Sequence, residues 1–86
     1  MKYSIELSKE AESDLMFLNK VNRKLFGRIL AKIETLYENP RQGKALVGNH
    51  KGEFSIRVSD YRIVYELDRV KHIVYILTVK HRKHVY

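Results

Sequence analysis

Residues 53–67 read EFSIRVSDYRIVYEL, and their alternation decides the fold. Phe54, Ile56 and Val58 would share one face of a strand, with Ser55, Arg57 and Ser59 on the other. After Ser59-Asp60 the pattern resumes, with Tyr61, Ile63, Tyr65 and Leu67 against Arg62, Val64 and Glu66. A period of two predicts half-buried strands, here joined by a tight turn. Once paired, they carry Arg57 and Arg62 on neighbouring strands, and the turn geometry decides whether the two share a face. Two guanidiniums held on rigid strands suit a phosphate-bearing partner, because the planar group matches phosphate oxygens bidentately.

Upstream, residues 2–7 alternate and predict a first strand with Tyr3, Ile5 and Leu7 on one face. Ser8 then stands where a helix N-cap belongs, ahead of Glu10, Glu12 and Asp14, whose charge complements the helix dipole. Ala11, Leu15 and Leu18 recur at helical spacing, with Met16 and Phe17 widening the apolar face. Asn22 is a second N-cap, followed by Leu25, Ile29, Ile33 and Leu36. Asn39-Pro40 stops this second helix. So short a connection predicts an antiparallel helical hairpin. Residues 41–52 form a loop in which 45–47 dip into the core or add a short strand. Downstream, residues 72–79 predict a last strand, apolar on both faces and therefore central or covered. Ile73, Tyr75, Leu77 and Val79 would face one way, and His72, Val74, Ile76 and Thr78 the other. The order β-α-α-β-β-β makes an α+β domain over residues 1–86, a helical hairpin on one face of a mainly antiparallel sheet.

Composition narrows the partners. The chain of 86 residues carries 17 Lys and Arg against 10 Asp and Glu. Residues 1–40 have a net charge of +1 and residues 41–86 one of +6, so the basicity belongs to the strand-rich half. A concentrated positive field points to nucleic acid or an acidic protein. Cysteine is absent, which excludes disulfides and thiolate metal sites. Four scattered histidines without ligand-spaced carboxylates form no recognisable metal site, so no metal or other cofactor is expected. Without an apolar run like that of a signal peptide or membrane span, a soluble cytoplasmic protein is expected.

The candidate chemistry is RNA cleavage. RNA needs no metal to be cut, since its own 2′-hydroxyl can attack the adjacent phosphate in line. A protein must supply a base, an acid and positive charge at the phosphate. Arg57, Arg62 and Arg82 can supply the charge. His81, flanked by Lys80, Arg82 and Lys83, is held toward its neutral, proton-accepting form by like charges. Tyr86 can stack on an unpaired base. Lys44, Lys51, Lys80 and Lys83 are candidate RNA-binding cations.

The segments RVSDYRIVYEL (57–67) and KHRKHVY (80–86), set behind a helical hairpin, resemble the RelE/ParE superfamily of bacterial and archaeal toxins. These are the toxin halves of type II toxin–antitoxin pairs. The RelE-like branch implies a ribosome-dependent mRNA endonuclease that cuts A-site codons by the 2′-hydroxyl route. On that resemblance Arg62 matches the phosphate-binding arginine, Arg57 the basic residue of the preceding strand, Arg82 the basic residue at the last strand's exit, and Tyr86 the codon-orienting tyrosine. Ser55 stands where RelE-like members have a lysine implicated in proton transfer, which directs the base assignment to His81. A cognate antitoxin, held in a hetero-oligomer, is implied as partner beside mRNA and the ribosome. The alternatives are a ParE-like inhibitor of DNA gyrase without nuclease activity, and a catalytically degenerate RNA-binding homologue.

Overall fold

A computed structural model describes residues 2–50 and 52–84. The strands are β1 (Ser4–Leu7), β2 (Lys44–Ala45), β3 (Glu53–Val58), β4 (Tyr61–Asp68) and β5 (Ile73–His81); the helices are α1 (Lys9–Val21) and α2 (Arg23–Thr35). One sheet runs in the order β1-β5-β4-β3-β2, antiparallel except that β1 lies parallel to β5. The helical hairpin covers one face, so the expected α+β architecture holds, and β5 is central as its two apolar faces imply. Among the described residues, no helix is long and apolar enough to cross a membrane.

Local chemistry sets the boundaries. The Ser8 hydroxyl accepts from the Ala11 N–H at 2.9 Å and so caps α1. Asn22 links the helices alone: its N–H donates to the Leu18 carbonyl, closing α1, and its side-chain oxygen accepts from Leu25 N–H at 3.1 Å, opening α2. The hairpin buries Ala11, Leu15 and Leu18 against Ile29, Ile33 and Leu36, and these pack on Ile56, Val58, Ile63, Tyr65, Val74, Ile76 and Val79 of the sheet. Met16 and Phe17, expected to widen the buried face of α1, instead remain largely exposed. The apolar stripe that α1 needs is already filled by Leu15 and Leu18, and a two-helix layer has no third element to cover the flank.

Two sequence expectations change. The loop strand is Lys44–Ala45 rather than 45–47, with Val47 in solvent. The larger change is in β5. Val64 pairs with Thr78 but Tyr65 pairs with Ile76, so Leu77 is an extra residue and forms a β-bulge. The bulge inverts the alternation at its position. Val74, Ile76 and then Val79 face the helices, whereas Ile73 and Tyr75 join Thr78 and Lys80 on the open face. The strand also runs on to His81, so Lys80 and His81 belong to the sheet rather than to a tail.

Candidate phosphate-binding site on the open sheet face

Val58 pairs with Tyr61, leaving Ser59 and Asp60 as a two-residue hairpin loop. Ser59 takes the left-handed conformation (φ 56°), which such loops require and which a short polar side chain tolerates. This register sets Arg57 directly opposite Arg62. Directly opposed residues project to the same face, with Cβ atoms about 4.5–5.5 Å apart. Arg62 is in turn opposite Lys80. Three cations from three adjacent strands therefore form a row across the face that the helices leave open. Like charges directly opposite one another disfavour a sheet. Neither arginine forms an ion pair among the described residues that would offset that repulsion.

The next row across the same face is Lys44, Ser55, Val64 and Thr78. Lys44 thus stands one strand from Ser55 on the same face, and adds an exposed ammonium beside Arg57. Val64 is fully buried at the centre of this face, although it lies outside the core beneath the helices. Beyond it the sign of charge reverses, with Glu53, Glu66, Tyr75 and Glu6 in register. The open face is therefore basic at the end of the β3–β4 turn and acidic at the other. An anion is drawn to the arginine end.

Lys80 is restrained. Its ammonium donates to Asp14 at 2.7 Å and lies 3.1 Å from Glu10, one turn apart on α1. The Asp14 carboxylate also accepts from the Val79 N–H at 2.9 Å, on the stretch of β5 that β1 is too short to cover. The hydrogen bond to Asp14 is the main cause that raises the Lys80 pKa, so this ammonium keeps its charge at neutral pH. Held between two carboxylates, it offers a phosphate little net positive charge, and with its proton retained it is no base. The Asp14–Lys80 link was the feature least visible in the sequence. Its one trace is the four-residue spacing of Glu10 and Asp14, which puts both carboxylates on one side of α1.

The model of the ParE toxin of the type II toxin–antitoxin system parDE matches residues 5–86, nearly the whole chain. The chain belongs to this toxin family. With it the chain belongs to the RelE/ParE superfamily, and solved toxins carry the same fold. The toxin of the RelBE2 toxin–antitoxin complex from Mycobacterium tuberculosis superposes with a TM-score of 0.83 at 28% identity, covering 95% of this chain and 100% of that one. That of the YoeB–YefM complex from Staphylococcus aureus gives 0.77 at 22% identity, covering 94% and 98%. The archaeal RelE–RelB complex from Pyrococcus horikoshii OT3 gives 0.76 at 22%, covering 99% and 100%. No curated protein sequence matches the chain significantly.

In this ParE-family toxin the remaining candidates from the sequence divide by position. The Arg82 N–H donates to the Asp60 carbonyl at 2.7 Å, which pins the end of β5 to the turn between Arg57 and Arg62. Arg82 and Lys83 follow in a single 3₁₀ turn, both exposed. His81 lies at the same end of the sheet but opposite Tyr61, on the helix-facing side, and packs edge-on against that ring with centroids 5.5 Å apart. Its Nδ1 accepts from the Lys83 N–H at 3.2 Å. A neutral imidazole bonded this way carries its proton on Nε2. Lys51 and Tyr86 lie outside the described residues. Among the described residues, no cluster of histidines and carboxylates could hold a metal ion.

Proposed function

We propose that this toxin is a metal-independent endoribonuclease that cuts mRNA in the ribosomal A site. The observation that carries the reading is the Arg57–Arg62 pair, set in register on the open face and without an ion-pair partner among the described residues. Attack by a 2′-hydroxyl on the adjacent phosphate gives a 2′,3′-cyclic phosphate and frees the 5′-oxygen, which takes up a proton. The dianionic phosphorane between them gains most from guanidiniums fixed in advance on strands. Lys44, exposed beside Ser55, stands close to the position whose lysine the RelE-like branch uses. His81, at the same end of the sheet but on its helix-facing side, can take the 2′-hydroxyl proton only from a message that passes around the end of β5, and only once its Nδ1 leaves the Lys83 N–H. Arg82 and Tyr86 complete the codon contact. Lys51 and Lys83 extend the basic surface.

The cellular setting is a cytoplasmic complex with an antitoxin, as in the toxin–antitoxin assemblies above. An acidic antitoxin segment fits the basic surface, and an apolar one fits the exposed Met16, Phe17 and Val21 on the helical hairpin.

The test is in vitro translation with cleavage sites mapped on the message, comparing wild type with Arg62→Ala, Arg82→Ala and His81→Ala. Arg62→Ala should lose about 10²–10³-fold in cleavage rate, and His81→Ala should flatten the pH–rate profile. Full activity in both arginine variants, with folding retained, sinks the proposed site. The match to the ParE family favours a second reading, a gyrase inhibitor that cuts nothing. Gyrase-dependent DNA breaks with intact mRNA would establish it in place of the first.

A further inference from the structure

α2 carries a charge pattern that its own stability does not explain. Lys24, Arg28 and Lys32 stand four residues apart, forming one stripe with steps of about 6 Å along the axis. Like charges at this spacing repel and weaken a helix. Arg23 and Lys24 also occupy the first turn, which contains no acidic residue and where the helix dipole disfavours cations. Among the described residues, the ion-pair contacts involve His50 and Lys80, and none of the α2 cations.

The stripe opens onto a cleft of about 450 Å³ between α2 and the end of β3. Arg28, Lys32 and Arg57 line it together with the small Ala31, Val58 and Ser59. Because β2 pairs only with Phe54 and Ser55, it leaves the outer edge of β3 open at Arg57. Arg57 is thus shared, belonging to the row on the open face and to this cleft.

We infer that the cleft is a second phosphate-binding groove, which holds the backbone of single-stranded RNA next to the nucleotides at the Arg57–Arg62 row. The choice of ligand rests on the RNA-cutting reading above, and the groove itself rests on the α2 pattern. A regular line of cations that continues into an arginine pair matches a chain of phosphates, each carrying one charge. An acidic protein segment is the rival, but the cleft offers it little to grip. A peptide bound in a groove is anchored by large apolar or aromatic side chains in pockets. Here the lining between the cations has no large apolar or aromatic side chain, and the exposed apolar side chains of the hairpin, Met16, Phe17 and Val21 of α1 and Leu30 of α2, lie outside it.

The test uses the full chain and a labelled single-stranded oligoribonucleotide with non-cleavable 2′-O-methyl sugars, titrated over a range of salt. Wild type should bind with strong salt dependence. The Arg28→Gln/Lys32→Gln variant should bind at least tenfold more weakly at low salt. Its log–log salt slope should fall by about 1.4, since each phosphate contact on a single strand adds about 0.7. Each single variant should lose about half of that slope. Melting temperatures should stay level or rise, because like-charge repulsion is removed. An unchanged slope in the double variant, or no salt-dependent binding by wild type, overturns the groove. So does a double variant that binds RNA normally but loses affinity for poly-glutamate, which marks the cleft as a docking site for an acidic protein. If the slope falls as expected in a toxin that cleaves no message, the groove stands and the nuclease reading fails. Cleavage by wild type with a slope indifferent to both residues gives the reverse.

Discussion

Tyr65 shows how one residue can serve the core and a loop together. Its ring is fully buried against Phe54, with centroids 5.4 Å apart, yet its phenol is satisfied. The hydroxyl donates to the Pro40 carbonyl at 2.8 Å and accepts from the Gly43 N–H at 3.0 Å. That contact leaves no space at Gly43, where a Cβ would sit 2.5 Å from the phenolic oxygen and 3.0 Å from the Ser55 carbonyl. Tyr65 thereby ties the loop before β2 to the strand that carries Arg62. Tyr65→Phe removes both hydrogen bonds and leaves Gly43 N–H and Pro40 C=O without their partner, at a cost of roughly 1–3 kcal/mol. Urea unfolding measures this, and a midpoint equal to wild type would count against the role. The sequence showed Tyr65 as an inward residue of an alternating strand. It could not show the hydroxyl's partners, which lie 22 and 25 residues earlier in the chain.

At the scale of elements, Ser8 and the Leu77 bulge work as a unit. Ser8 caps α1, donates its hydroxyl to the Leu77 carbonyl at 2.7 Å, and donates its N–H to the Ile76 carbonyl at 2.9 Å. One residue therefore ends β1, starts α1 and satisfies the strand at its irregular point. Ser8→Ala should cost about 1–2 kcal/mol, the upper range for a lost cap, because a carbonyl loses its donor as well. Thermal unfolding checks it, and Ser8→Thr should recover most of the loss. The caps and both helices were legible because each is written in neighbouring residues. The bulge was not, because alternation within 72–79 is unbroken in the sequence and only pairing with β4 exposes the extra residue. This governs the site. Without the bulge, Lys80 would face the helices, Val79 would stand opposite Arg62, and His81 would move to the arginines' face. With it, Lys80 completes the row and His81 packs on Tyr61. The Arg57–Arg62 hairpin, being local, was legible up to the choice of face.

At the scale of the molecule, two proton-holding groups join the α1–β5 clamp and the buried core to the pH dependence of stability. Burial is the larger influence on Tyr65 and raises its pKa; the hydrogen bond to Asp14 is the larger on Lys80 and also raises it. Both groups hold their proton more tightly folded than unfolded. Each therefore contributes stability that is fully present below the unfolded value, about 10 for either side chain, and that is lost as pH rises through the higher folded value. At most, each contributes a slope of about −1.4 kcal/mol per pH unit in that window. A chain with a formal net charge of +7 also sheds self-repulsion as its lysines titrate, which opposes the loss. Comparison of variants at matched pH removes this common effect. Tyr65→Phe and Asp14→Ala should both be clearly less stable than wild type at pH 7. Each deficit should shrink between pH 10 and 11, because wild type loses there a contribution that the variant never had. The two reductions should add in the double variant, since among the described residues no hydrogen bond or ion pair joins the two sites. Deficits that stay constant from pH 7 to 11 in chemical unfolding would show that neither group titrates differently in the folded toxin.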